Sequence, residues 1–541
     1  MRYVAFAMKR SSLFALSLFL VIPACGDGAD ADGSSEAGTG DASSGDGDGD
    51  ADTSGSSAET SAETSGTDTG TDTSGGFEPV PAKGITITEV TASQGTRVPI
   101  GQNGQWVDGN GRNTRLIRGR DTLIRVHHVL EDGWVPRVIE ARLTIILPGG
   151  EEQIQTQQLE IQSDSNPRFL DRGFYFGLQE AMGQVEEGVQ YQIELFDITP
   201  AGEGLSDGIT VTPPQPELIG FENVKMEMKV MYVPFNYTVK GTTPDLSSEE
   251  VRKTLNDTMY QQQPIQTLYP DYHAPVAYNQ TLSNLGNLLS AVDQVRSQDG
   301  APSNIYYAGV IDTGAQSGVV GIAPLGGNIS ANLWRTSKSS TAETIVHEVG
   351  HNQGLNHVEC PGGNSAGNDS SYPDHPQGRI MNTGFGIRNF QVYGPETTLD
   401  YMTYCGPVWV SDWTWNKVWN RISQFTAQGD VGLPQTPVLR HAIYEDGSEE
   451  WWNSLTVLSN DELSANTEVE FVRDGVVVAT TLAKREVLSD DSTIWITAPL
   501  PAGETIDSFD LVRETNLGQT REVGIEGIKV IKTRATADTQ D

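Results

Sequence analysis

Three kinds of hydrophobic spacing follow one another along this chain. From about 78 to 215, apolar and polar residues alternate with period two, as in Ile85-Thr-Ile87-Thr-Glu-Val90, Thr122-Leu-Ile-Arg-Val126 and Tyr191-Gln-Ile-Glu-Leu195. Successive strand side chains point to opposite faces, so this pattern predicts half-buried strands. Gly and Pro clusters between them, such as Pro148-Gly-Gly150, predict turns. A β-sandwich is expected, with Pro213, Pro214 and Pro216 marking its end. From 216 to 430 the spacing mixes. Residues 226–233, 304–311 and 318–323 read as strands, and 247–260 and 282–298 as helices. From 431 to 535 alternation returns, with a hairpin over 468–480 turning at Asp474-Gly475 and a second sandwich expected; 536–541 is a tail. The expectation is a multidomain chain: an α/β (α+β) domain flanked by two mainly-β, sandwich-like domains.

Residues 1–77 follow none of these patterns. Arg2, Lys9 and Arg10 precede a ten-residue run, 13–22, that is apolar except for Ser17. Such a run is too short for a hydrocarbon layer of ~30 Å and suits a signal-peptide core. It leads to Ile22-Pro23-Ala24-Cys25, which resembles a bacterial lipobox, with Ile at −3 and Pro at −2 as departures. The resemblance implies a signal peptide over 1–25 and acylation of Cys25, hence a membrane-anchored lipoprotein of the bacterial envelope or surface. Ordinary cleavage nearby, releasing a secreted protein, is the alternative. Residues 26–77 are Gly, Ser, Thr, Ala, Asp and Glu almost throughout, without Lys or Arg, and predict a disordered acidic tether. The formal net charge is −37. That excludes nucleic acid as a partner and electrostatic adsorption to anionic lipid, both of which need Lys and Arg.

The chemistry concentrates in one stretch, His347-Glu348-Val349-Gly350-His351-Asn352-Gln353-Gly354-Leu355-Asn356-His357, in a chain with 8 histidines. On a helix, i and i+4 lie on one face, so His347 and His351 can address one metal ion. Ser340 and Glu343 read as a capping box, and Ile345, Val346 and Val349 supply an apolar face. Gly354 would end the helix in a left-handed turn, and the reversed chain would deliver His357. Three neutral imidazoles leave zinc's fourth position open.

The pattern H-E-x-x-H-x-x-G-x-x-H, followed by Asp400-Tyr401-Met402-Thr403-Tyr404-Cys405, resembles the metzincin zinc peptidases, whose signature ends in a Met-turn. The resemblance implies that Met402 forms an apolar floor under the metal and Glu348 acts as general base on a zinc-activated water. It also implies that Tyr404 donates a hydrogen bond to the tetrahedral intermediate; a packed core tyrosine is the alternative. Residues 409–425, with Ser411 as cap, look like the last catalytic helix, and 318–333 like the edge that pairs with an extended substrate. The flanking β-domains look most like those of secreted bacterial metzincins. The implied function is a zinc-dependent endopeptidase acting on extracellular proteins or glycoproteins. The rival is a surface adhesin or glycan-binding lipoprotein with a silent protease fold.

There are three cysteines. With Cys25 acylated, Cys360 and Cys405 remain as one pair in an oxidising compartment. Each follows a site residue by three positions, His357 and Met402, so a disulfide is expected, worth roughly 4 kcal/mol in the chain-entropy model. Cys360 as a zinc ligand is the alternative. His127, His128, His273, His375 and His441 read as structural or solvated residues.

Overall fold

The computed structural model describes residues 77–201, 204–363, 367–489 and 492–534. The expected signal peptide, Cys25, the expected acidic tether as far as residue 76 and the expected tail at 536–541 lie outside these residues. The described residues belong to one contact unit and are mostly β, with four α-helices among them.

Alternation produces two antiparallel five-stranded sheets in the first part. One runs Val80–Pro81, Gln190–Asp197, Arg137–Ile146, Glu152–Ile161, with Val211–Leu218 also on Gln190–Asp197; the other runs Gln105–Trp106, Arg97–Gln102, Ile85–Ser93, Thr122–Leu130, Phe174–Leu178. Within Gln190–Asp197 every second residue is buried, Tyr191, Ile193 and Leu195 among them. Ile87, Val90 and Val126 of one sheet share a core with Ile139, Leu143 and Ile193 of the other. The prolines at 213, 214 and 216 differ from expectation: they lie inside the strand Val211–Leu218. That strand occupies an edge, where a missing N–H removes no ladder bond.

The middle of the chain builds a six-stranded sheet ordered Thr267–Tyr272, Glu227–Tyr237, Ile305–Ile311, Ile329–Leu333, Gly321–Ile322, with Val276–Tyr278 also on Glu227–Tyr237. All pairs are parallel except the last, where Gly321–Ile322 runs antiparallel along the edge. Helix α1 (Glu249–Gln262) is capped by Ser248, whose side chain accepts from Val251 N. Helix α2 (Leu285–Gln298) starts in an Asn284 capping box. Helix α3 spans Lys338–Asn352, and α4 spans Asp412–Ala427 behind its cap Ser411. Residues of α1 and α3, such as Met259 and Val346, share a core with Val230 and Val310 of the sheet. On the opposite face, α2 packs Leu288, Leu289 and Val292 against Tyr307 and Ile311.

The third part differs from the two separate sheets of a sandwich. It is one continuous eight-stranded sheet whose long strand Val476–Val487 pairs with Ser464–Arg473 up to Ala483 and with Thr493–Pro499 from Lys484 onward. The two ends thereby face each other across a core containing Leu439, Val469, Phe471 and Ile496. The predicted turn is present: Asp474 and Gly475 both have positive φ, 51° and 75°, as a two-residue type I′ hairpin requires. Tyr444, Trp452 and Trp495 pack on the outer face of α2. A buried ion pair, Arg440 Nε to Asp293 Oδ2 at 3.1 Å, joins the two.

Candidate metal centre

Helix α3 carries the first two histidines. Its cap is Ser337, which accepts from Ser340 N at 3.2 Å, so Ser340 sits inside the first turn and the expected Ser340/Glu343 capping box is not formed. Both serines fit the capping pattern; Arg335 N on Thr341 Oγ1 (3.0 Å) and the Ser337–Ser339 hydroxyl contact tie the earlier one to the helix start. At the other end, Gly354 has φ +90°. Gly354 N donates to His351 O at 2.9 Å and Leu355 N to Gly350 O at 3.0 Å. This is the Schellman pair of bonds, which requires a left-handed residue and reverses the chain. His357 then comes back over the helix, and Val358 N donates to Met402 O at 3.0 Å, tying the return to the 400–405 turn.

The three imidazoles converge. One ligand nitrogen from each of His347, His351 and His357 lies within 4.8 Å of the others, and all three residues are buried. His347 Nδ1 donates to Tyr401 O at 2.8 Å and His351 Nδ1 to Leu355 O at 2.7 Å. Each of these bonds spends the ring's one proton, leaving Nε2 as a lone pair. His351 Nε2 lies 3.1 Å from His357 Nε2, and His347 Nε2 is buried without a hydrogen-bond partner. A cation shared by these atoms would satisfy a buried lone pair that no protein donor reaches. Burial holds the His347 ring down to about 4, with His357 adding to it and the Tyr401 carbonyl opposing. Burial first, then His347 and His357, pushes His351 well below its ordinary value. Both rings are thus neutral near pH 7, the form that binds metal. The donor set fits a zinc-like ion.

Other predicted residues surround the triad. Glu348 is 4% exposed. It lies across the edge strand at Gly321, where an added Cβ would strike its carboxylate and Cγ, so this glycine is needed for room. Met402 is fully buried and faces Gly350, where an added Cβ would collide with its sulfur. Tyr404 is 55% exposed, with its ring centroid 4.5 Å from His357 and 5.8 Å from His347. It is therefore not a packed core residue. Cys360 and Cys405 are bonded, with Cα atoms 6.2 Å apart. No ligand role for Cys360 remains.

A cleft of about 380 Å³ opens beside the triad. Gly318–Gly321, Thr344, His347, Glu348 and Thr403–Cys405 are among the residues that line it.

Several supporting residues were missed by sequence reasoning. Asp400 is fully buried, and its carboxylate accepts from Met402 N (2.9 Å), Ser411 Oγ (2.6 Å) and Thr414 Oγ1 (2.7 Å), fixing the 400–405 turn to the start of α4. Burial raises its pKa despite these bonds. Asn352 holds the last turn of α3 to the edge segment through Pro324 O and Ile329 O, at 3.0 and 2.9 Å. Gly350 carried a readable signal, because a glycine inside a helix costs ~1 kcal/mol against Ala and calls for a packing reason. Asn352 carried none, since its partners lie 28 and 23 residues away.

No family model matches this chain, and no curated protein matches it. Among solved structures, the chain is similar to a metalloproteinase-II from Bacteroides fragilis at 12% identity, covering 49% of this chain and 78% of that one, with a TM-score of 0.19. It is also similar to a putative beta-galactosidase from Bacteroides fragilis, at 10% identity over 84% of this chain and 74% of that one, TM-score 0.13. A calcium-binding mutant of Bacteroides uniformis beta-glucuronidase 2 follows at 9%, 83% and 62%, TM-score 0.14. Likeness this low carries no argument about fold or function; the geometry of the triad has to stand alone.

Proposed function

We propose that this chain is a zinc-dependent endopeptidase of the metzincin type, cleaving extracellular proteins or glycoproteins. The observation that carries the reading is the arrangement of His347, His351 and His357: three buried imidazoles with converging nitrogens, beside a buried glutamate and an open cleft. His347, His351 and His357 would hold the ion. Zinc held there would supply a water acidified toward a pKa of about 7 and Lewis-acid polarisation of a carbonyl. Glu348 takes a proton from the attacking water and returns it to the departing nitrogen as the C–N bond breaks, a role worth typically ~10²–10⁴-fold. Tyr404 hangs over His357 from the solvent side and donates its hydroxyl to the oxyanion. The edge strand pairs with the substrate backbone, which needs no particular side chain and suits a protein substrate. The α/β sheet with α1, α3 and α4 is read as the catalytic domain, and the β-rich regions on either side as its flanks.

The short apolar run over 13–22 after Arg2, Lys9 and Arg10, and the lipobox-like Ile22-Pro23-Ala24-Cys25, support as part of this proposal a signal peptide, export and anchoring through a lipid on Cys25. Membrane partition of the native protein, lost in Cys25→Ser, tests this. The function is tested by sequencing the new termini made from an extracellular protein mixture by wild type and by Glu348→Ala. Termini present with wild type and absent with the variant are expected. The same termini from both, or none from wild type, would leave the adhesin reading in place.

A further inference from the structure

The metal site leans on the first β region through one buried cation. Arg120 sits between the strands Leu116–Ile117 and Thr122–Leu130 and is fully buried. Its four hydrogen bonds all end on main-chain carbonyls: Gln263 O (2.8 Å), Ile265 O (2.7 Å), Gln94 O (2.6 Å) and Gln261 O (3.3 Å). Gln261 and Gln263 form the C-terminal end of α1, where carbonyls lack helical partners and the helix dipole is negative. The guanidinium also lies over the rings of Tyr260 at 4.3 Å and Trp415 at 5.2 Å. Burial lowers its pKa to about 10, which still leaves it charged at neutral pH. A buried charge without a carboxylate needs such a dense set of acceptors, and this one fixes the backbone at 263.

The side chain of Gln263 continues the path. It is fully buried, its Nε2 donates to Tyr401 Oη at 3.3 Å, and its Oε1 accepts from Gln353 Nε2 at 2.9 Å. Tyr401 is the residue whose carbonyl fixes the His347 ring. Gln353 caps α3, next to the turn whose Leu355 carbonyl fixes His351. One amide thus clamps the two backbone segments that orient two imidazoles.

We infer that Arg120 and Gln263 are positioning residues for the metal site, so that the β region over 78–215 is a working part of the catalytic unit. This rests on the metal reading above. Groups bonded directly to a ligating histidine typically change metal affinity by ~10–100-fold; Gln263 acts one step behind such groups, so the lower end of that range is expected.

The test uses the full-length protein loaded with zinc, and measures affinity by competition with a fluorescent chelator, alongside the thermal midpoint. Gln263→Leu and Arg120→Met should each weaken zinc binding by about tenfold, and the double variant should lose little beyond the more damaging single variant, because both act on one path. Arg125→Met is the control. Arg125 is another buried arginine of the same region, bonded to Pro167 O and Phe169 O and not linked to Gln263. It should lower the midpoint with zinc affinity within about twofold of wild type. Gln263→Leu binding zinc like wild type would overturn the inference even if Arg120→Met fails to fold. Equal zinc losses in Arg125→Met and Arg120→Met would also overturn it, by reducing the effect to general stability. Wild type that binds no zinc would remove the metal reading and this inference together, whereas a zinc-binding wild type with unaffected variants would remove this inference alone.

Discussion

Two groups of buried histidines in this molecule have opposite surroundings. At the triad, the protons of His347 and His351 go to uncharged main-chain carbonyls, and the ligand nitrogens face one another. His441, in the last sheet, sits between two carboxylates, with Nδ1 2.7 Å from Glu514 Oε2 and Nε2 3.2 Å from Glu449 Oε2. Trp451 covers it face to face at 3.7 Å and is itself buried, whereas Tyr404, over the triad, is half in solvent. Burial alone does not make a histidine a ligand. Convergence and access do: at the triad three ring nitrogens meet beside an open cleft, whereas the His441 ring faces two carboxylates with no second imidazole beside it and lies under a buried indole.

The largest expected break in this comparison is metal content. His351→Ala should lose stoichiometric zinc, while His441→Ala should keep one zinc per chain, measured on folded protein by metal analysis. Equal zinc in both variants would remove the distinction. Next comes Glu348→Gln, which keeps size and burial but cannot accept the proton. Peptide cleavage should fall by at least ~10²-fold with zinc content unchanged, read as kcat/KM against zinc stoichiometry. Tyr404→Phe should cost on the order of tenfold in kcat, the equivalent of one hydrogen bond of about 1.4 kcal/mol, with KM held; a change in KM alone would make Tyr404 a binding surface.

The smallest effect concerns a third kind of buried histidine. His127 lies near Arg125 and Arg97, and burial first, then those charges, push its pKa down to about 3. The unfolded ring, near 6.5, binds a proton that the folded ring does not. Its contribution is therefore whole above about pH 6.5 and is lost as pH falls toward 3. His127→Gln should flatten the fall of the thermal midpoint between pH 6 and pH 4 by a few degrees; an unchanged slope would show that the ring titrates normally.

What could be read from the sequence was local. The i, i+4 histidines, Gly354 and Ser411 act within one or two turns of chain, so spacing and residue type were enough to bring the triad and its helix into view. The hairpin turn at Asp474-Gly475 was legible for the same reason. Ser337 was missed because two serines three residues apart fit the capping rule, and contacts around the helix start decided between them. Gln263 and Arg120 were invisible because each acts on residues far away in sequence: Gln263 meets Tyr401 across 138 residues and Arg120 meets Gln263 across 143. The prolines at 213, 214 and 216 misled because a strand edge accepts proline as readily as a linker does.

The four-residue interval from His347 to His351 is normally written with two letters left blank. In this chain the second blank is Gly350, and its hydrogen is what lets Met402 come up against the helix backbone beneath the ligands. A residue that offers no side chain to metal, substrate or solvent therefore sets how high the floor of the site stands. In a deep mutational scan scored by zinc occupancy, position 350 would stand out as nearly as intolerant as the histidines on either side of it, and Gly350→Ala would fail there despite the better helix propensity of alanine.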